Sequence, residues 1–162
     1  TINGAPVGRE LGTYSYSHIF EYQDSDGDKE DGSIMIVVAT DAPLDARSLD
    51  RLASRAIMGL ARTGSFASNG SGDYVIAFST HPSVRRPRTS ARPVATEVLV
   101  NASMSPLFAA TAEATEEAIY NAIFKATTVS SSRGELQAVP LDDLMRILEK
   151  HKALNWDETV GK

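Results

Sequence analysis

The chain has 162 residues with 42% apolar and 23% charged side chains, which suits one globular domain with a real core and excludes global disorder. A net charge of −5 and a pI near 5.2 leave no surplus of Lys and Arg for nucleic acid as a general partner. With no cysteine, disulfides, thiolate catalysis and Cys-ligated metals are excluded.

The three histidines, His18, His81 and His151, lie far apart and form no metal-ligating spacing. No apolar run is long enough to cross a bilayer, and the N-terminus has no charged-then-apolar leader pattern. The chain reads as a soluble domain whose compartment, cytoplasmic or periplasmic, is not written in it. It opens at Thr1 without methionine, inside a turn-rich segment, so a front portion of a larger protein is expected upstream.

In chain order, residues 1–22 hold two turn signals, Asn3-Gly4 and Gly8, and then Tyr14, Tyr16, Ile19 and Phe20 at roughly strand spacing. Residues 23–32, QDSDGDKEDG, contain five acids and no apolar side chain, which predicts an exposed loop. Ser33 is followed by IMIVVAT, a continuous β-branched run of the kind buried on both faces of a sheet. Asp41 and Pro43 break it. Leu44, Leu49, Leu52, Ala56, Leu60 and Ala61 then predict an amphipathic helix to about Thr63, ended by Gly64.

Residues 65–73, SFASNGSGD, read as a small-residue turn and YVIAFST (74–80) as a second strand. The segment 81–93 holds three prolines with Arg85, Arg86, Arg88 and Arg92, and reads as a loop; 94–100 is ambiguous between strand and helix entry. Ser105-Pro106 opens a helix over about 106–126 with Leu107, Ala110, Ala114, Ala118, Ile119, Ala122 and Ile123 on one side. Pro140 starts a last helix, and the tail from Asn155 looks loose. Alternating strands and helices about a buried sheet define an α/β layered domain.

Three constellations could carry chemistry. The first is Gly32-Ser33, at the junction of the acidic loop and the apolar strand. Most such serines are turn residues. If the Gly-Ser bond were cut, however, Ser33 would carry both a hydroxyl and an α-amine, whose intrinsic pKa of about 8 suits it to accept the hydroxyl proton near neutral pH. Glycine before the serine leaves the carbonyl unhindered for an N→O acyl shift. The second is the turn 67–73, which lacks the spacing of a phosphate loop but could bring a hydroxyl and a carboxylate to a nucleophile on another strand. The third is Glu113, Glu116 and Glu117 with Asn121 one turn on, usually a solvated helix face. Two decoys are set aside. Asp24, Asp26 and Asp28 mimic a calcium loop, but Lys29 and Met35 stand where Gly and Glu are needed. The arginines of 85–92 carry no interleaved aromatic, so a solvated or subunit-contact loop is the better reading.

EDGSIMIVVATDAPL, LDRLASRAIMGLARTGSFASNGSGDYVIAFST and PLFAATAEATEEAIYNAIFKATT closely resemble the L-aminopeptidase/D-amidase-esterase and β-peptidyl aminopeptidase family of N-terminal serine hydrolases, over about Gly4 to Leu148. The resemblance implies a layered αββα sandwich, N-terminal-nucleophile-hydrolase-like and related to the ornithine acetyltransferase fold. It implies a precursor that cuts itself at Gly32-Ser33, making residues 1–32 the end of an α chain and 33–162 the β chain. The nucleophile then falls on Ser33 and the supporting serine on Ser71. The supporting acid falls on Asp73, where β-aminopeptidases tend to carry Glu. An oxyanion-binding Asn and a substrate-facing Tyr of the family would lie upstream of Thr1. The implied activity is hydrolysis of an amide or ester next to a free amino terminus, with no cofactor and no metal. The implied partners are the protein's own α chain, a tetramer of α/β pairs, and small peptide or aminoacyl substrates, with no nucleic acid and no membrane. Acyl transfer, as in the threonine-using ornithine acetyltransferases, and an uncleaved non-catalytic module are the alternatives. Thr1 as a nucleophile is disfavoured, having no buried strand behind it.

Overall fold

A computed structural model describes residues 1–12, 33–89, 92–132 and 134–155. The expectations for 13–32, which include the strand-spaced aromatics, the acidic loop and Gly32, and for the tail beyond residue 155 lie outside the described residues. In chain order the elements are α1 (Val7–Glu10), β1 (Met35–Thr40), α2 (Ala46–Arg62), β2 (Tyr74–Ser79), α3 (Ser105–Phe124), β3 (Val129–Ser131), β4 (Gly134–Leu136) and α4 (Leu141–Lys150). They fall into two compact units, Gly32–Glu117 on the one hand and Thr1–Asp31 with Ala118–Lys162 on the other.

In Gly32–Glu117, β1 and β2 pair in parallel, Met35 opposite Tyr74 through Thr40 opposite Ser79. Parallel neighbours need a crossover, and α2 supplies it. Both ends of α2 follow from local chemistry. Asp45 caps its start by accepting the Ser48 N–H at 2.8 Å, and these bonds to Ser48 hold the Asp45 carboxyl below its ordinary value. Its C-terminal end passes through Thr63 to Gly64 at φ +103°, a conformation that favours glycine.

The buried face of α2 is Leu52, Ala56, Gly59 and Leu60, close to the predicted stripe. Leu44, Leu52 and Met104 form the core here, with Val38, Ala42, Leu49, Leu99, Leu107 and Phe108 packed around them. That core covers only one face of the sheet. The other presents Met35, Val37, Tyr74, Ile76 and Phe78, each between 44% and 64% exposed. The expectation of a strand buried on both faces is thus corrected: residues alternate half-buried and exposed along both strands, although the sequence is apolar throughout.

The buried face of α3 also differs from expectation. Thr111, Ala112 and Thr115 are buried, whereas Ala110, Ala114, Ala118, Ala122 and Ile123 are exposed. The threonines can be buried because their hydroxyls bond within the helix, Thr111 to the Leu107 carbonyl at 2.7 Å and Thr115 to the Thr111 carbonyl at 2.8 Å. Small residues on both helices allow a close approach at Gly59. A Cβ there would run into the Ala112 carbonyl and lie 2.7 Å from the Thr115 Cβ. Gly59→Ala is therefore expected to destabilise the protein by about 1–3 kcal/mol, the overpacking penalty outweighing roughly 1 kcal/mol of helix propensity. Urea unfolding of the two proteins measures it; an equal or higher midpoint for the alanine variant would contradict the close approach.

In the second unit, Asn3 and Gly4 at φ +45° and +82° form a two-residue turn closing Ile2 against Ala5, with hydrogen bonds of 3.0 and 2.9 Å. Gly8 is not a turn residue but sits inside α1. In α4, Asp142 and Asp143 lie in the first turn and Lys150 in the last, matching the helix dipole. Leu144, Ile147 and Leu148 of α4 join Ala5, Val7 and Ala153 in the core. The antiparallel β3–β4 pair has no counterpart in the sequence expectations. The segment 94–100 is neither strand nor helix.

Glu10 ties α1 to α4, accepting from Lys150 Nζ at 2.8 Å and contacting His151 Nε2. The Lys150 bond first, and the His151 bond second, hold its carboxyl below the ordinary value. A depressed carboxyl contributes stability that is complete above the ordinary carboxylate range and disappears as pH falls through the folded value. Wild type and Glu10→Gln should therefore differ in melting temperature near neutral pH, and the gap should close as pH falls below the ordinary carboxylate range. A constant gap across a pH series would show that the charge is not what matters.

Candidate active site

The candidate site lies where β1 and β2 begin. The parallel register that pairs Met35 with Tyr74 also sets Ile34 beside Asp73 and Ser33 beside Gly72. The Tyr74 N–H donates to the Ile34 carbonyl at 3.0 Å, extending the ladder one step toward Ser33. The loop preceding β2 is shaped by Ala67 at φ +51° and a turn in which the Ser71 N–H donates to the Ser68 carbonyl at 3.0 Å.

Ser33 is exposed, while Ser71, Gly72 and Asp73 are half-buried. Ser33 Oγ accepts the Gly72 N–H at 3.0 Å. A Cβ at 72 would stand 3.3 Å from Ser33 Oγ, a tight contact that the serine side chain would have to relieve by a small shift. Asp73 Oδ1 takes two bonds, from the Ser71 hydroxyl at 2.8 Å and from the Ile34 N–H at 3.1 Å. Its other oxygen, Oδ2, is buried without a hydrogen-bond partner among the described residues. A buried carboxylate oxygen left unpaired is costly, so this atom calls for a donor. The carboxylate is anchored to the backbone N–H of Ile34, the residue next to Ser33.

Ser33, Ser71 and Asp73 are thus brought together from positions far apart in the sequence. Gly32 lies outside the described residues. Two backbone donors, the N–H groups of Gly72 and Ile34, were not anticipated; the only sequence signal for the first is a glycine between two site residues. The Glu113–Glu116–Glu117 cluster is not part of this site. Glu113 and Glu117 are exposed, and Glu116 pairs with Arg62 at 3.4 Å, a surface ion pair of small energetic weight. His81 serves locally, its Nδ1 accepting the Ser83 N–H at 3.2 Å to cap the turn Pro82–Val84. Among the described residues, no group of acids and histidines is arranged to hold a metal ion. Nor is any helix among them long and apolar enough to cross a membrane.

The fold is the mixed α/β fold of the N-terminal-nucleophile (Ntn) hydrolases. The chain matches the structure of L-aminopeptidase D-Ala-esterase/amidase from Ochrobactrum anthropi, described as a variant of the Ntn hydrolase fold, with a TM-score of 0.76 and 31% identity over 95% of this chain and 40% of that one. It also resembles the PH0078 protein of Pyrococcus horikoshii OT3, with a TM-score of 0.73 and 41% identity over 91% of this chain and 38% of that one. The chain belongs to peptidase family S58, whose family model matches residues 1–137. It is 36% identical to beta-peptidyl aminopeptidase BapA of Sphingosinicella microcystinivorans over 159 residues, which cover 94% of this chain and 40% of that protein. The chain therefore spans about two fifths of the length of these relatives.

Proposed function

We infer that this chain carries the nucleophile of a serine aminopeptidase, which hydrolyses an amide or ester bond next to a free N-terminal amino acid. The nucleophile is Ser33, freed by cleavage of the Gly32–Ser33 bond. In that cleavage Ser33 Oγ attacks the Gly32 carbonyl, the acyl group passes from nitrogen to oxygen and so frees the Ser33 α-amine, and water hydrolyses the resulting ester to release the Gly32 carboxylate and the Ser33 hydroxyl. In turnover the same hydroxyl attacks the substrate carbonyl while the α-amine takes its proton. The amine or alcohol leaving group departs with a proton, and water resolves the acyl-enzyme. The Gly72 N–H, 3.0 Å from Ser33 Oγ, favours negative charge developing on that oxygen.

The observation that carries this inference is the buried Asp73 Oδ2, without a partner among the described residues, on a carboxylate whose Oδ1 accepts the N–H of Ile34, the residue next to Ser33. A new ammonium group at Ser33 is the donor that this oxygen lacks, and Ser71 holds the carboxylate in place through its other oxygen. Residues 1–32 and 33–162 would then be parts of an α and a β chain that remain associated and assemble further as pairs. The exposed apolar face of β1–β2, which shares its side of the sheet with Ser33, supplies a surface for the α chain to cover.

A free substrate amine should be required. Aminoacyl p-nitroanilides and their N-acetyl counterparts should differ in kcat/KM by at least about a hundredfold in favour of the free amine, because a site built around that charge loses it on acetylation. Equal rates would overturn the aminopeptidase assignment in favour of an endo-acting amidase or acyl transfer.

A further inference from the structure

Arg47, Arg51 and Arg55 follow one another at four-residue intervals on α2, which begins beyond the C-terminal end of β1, whereas Ser33 precedes its N-terminal end. Arg51 and Arg55 both lie over the ring of Phe108, their guanidinium carbons 5.0 and 4.3 Å from its centroid. Both are half-buried. Arg51 Nη1 donates to Asn101 Oδ1 at 2.6 Å, and Arg55 Nη1 to the Arg51 carbonyl at 3.4 Å. Among the described residues neither pairs with a carboxylate.

This arrangement is unfavourable by itself. Like charges one turn apart repel, and partial burial withdraws both from water. The negative face of Phe108 and two neutral oxygens offset that only in part. Arg47 and Arg51 also line a hollow with Asp45, Ser48, Leu99 and Asn101. The Asp45 carboxylate there is engaged in capping α2. Two arginines thus line this hollow with one carboxylate, and Arg55 stands one turn further along the same helix.

We propose that this ridge binds a small free oxyanion of the phosphate type, a dianion held by the Arg47 and Arg51 guanidinium groups with the Arg55 charge behind them. Fixed guanidinium forks match tetrahedral oxyanions, and stacking on Phe108 pre-organises two of the three. The site is independent of the role assigned to Ser33.

The test is titration of the full-length protein with inorganic phosphate at constant ionic strength, read by phosphorus NMR line broadening and by thermal melting, with chloride as the reference. Wild type should bind saturably. Arg51→Gln/Arg55→Gln should bind at least about tenfold more weakly, and Arg51→Lys several-fold more weakly, since lysine keeps the charge and loses the fork. If the double variant does not fold, Arg47→Gln carries the test, because Arg47 is exposed and is not among the cations stacked on Phe108. No saturable binding by wild type, or undiminished binding by the double variant or by Arg47→Gln, would reduce the arginines to a cover for Phe108 and overturn the proposal.

Discussion

Ser33→Ala is expected to lower kcat/KM by at least about a thousandfold, roughly 4 kcal/mol of transition-state stabilisation, and to leave the Gly32–Ser33 bond intact. One hydroxyl serves both steps, attacking the Gly32 carbonyl once and substrate carbonyls thereafter, so both should fail together. The fold should tolerate the change. Ser33 is exposed, and alanine forfeits only the acceptor for the Gly72 N–H, which solvent can replace. Intact-mass spectrometry separates the outcomes: active wild type should yield a fragment starting at Ser33, and the alanine variant should not. Ser33→Cys and Ser33→Thr retain a nucleophile and should still cut slowly. An alanine variant that still cleaves at this bond would remove Ser33 from the role of nucleophile. Full activity of wild type with the bond uncut would remove the α-amine from the role of base.

Asp73→Asn should lower kcat by one to three orders of magnitude, about 1.4–4 kcal/mol. The substitution is nearly isosteric, and the remaining amide oxygen can still accept from the Ser71 hydroxyl and the Ile34 N–H, as Oδ1 does in wild type. What is lost is the negative charge at the position of Oδ2. A carboxylate beside the Ser33 amine favours its protonated form and so raises its pKa. The amine must be neutral to accept the hydroxyl proton, so activity rises as pH passes that pKa. Removing the charge lowers the pKa and moves the rising, acid-side limb of the kcat/KM profile to lower pH. Profiles from about pH 5 to 10 for wild type, Asp73→Asn and Ser71→Ala would measure this. Ser71→Ala should lower activity less and move the limb less, because it frees the carboxylate without discharging it. A turn residue of purely structural role would change the unfolding midpoint and leave the limb where it is.

Much of the unit Gly32–Glu117 was legible beforehand. The run IMIVVAT marked β1, and YVIAFST marked β2, because β-branched and aromatic residues between turn signals have few other solutions. Gly64 marked the end of α2, since caps act on the backbone within four residues of themselves, whereas the Asp45 cap at its start came only with the structure. The buried face of α3 was misread for an identifiable reason. Its alanines and isoleucines lie on most sides of the helix, while the contact surface includes two threonines whose hydroxyls are satisfied by their own helix. Hydrophobic periodicity does not register a polar residue that has already met its own hydrogen-bonding need.

The sequence by itself determined β1, β2 and the C-terminal end of α2, the class of fold, and through family resemblance the expectation that Ser33, Ser71 and Asp73 form the site. These rest on signals confined to a few neighbouring residues, or on long shared motifs. Only the tertiary structure decided that Ser33 lies against the Gly72 N–H, that Ile34 donates to Asp73, and that Asp73 keeps a buried oxygen without a partner. It also decided that one apolar face of the sheet is exposed. The physical reason is that strand register is a non-local choice, made by backbone ladder bonds that are chemically alike at every residue. Shifting β1 by one residue against β2 would leave each strand's local pattern unchanged and would move Ser33 away from Gly72.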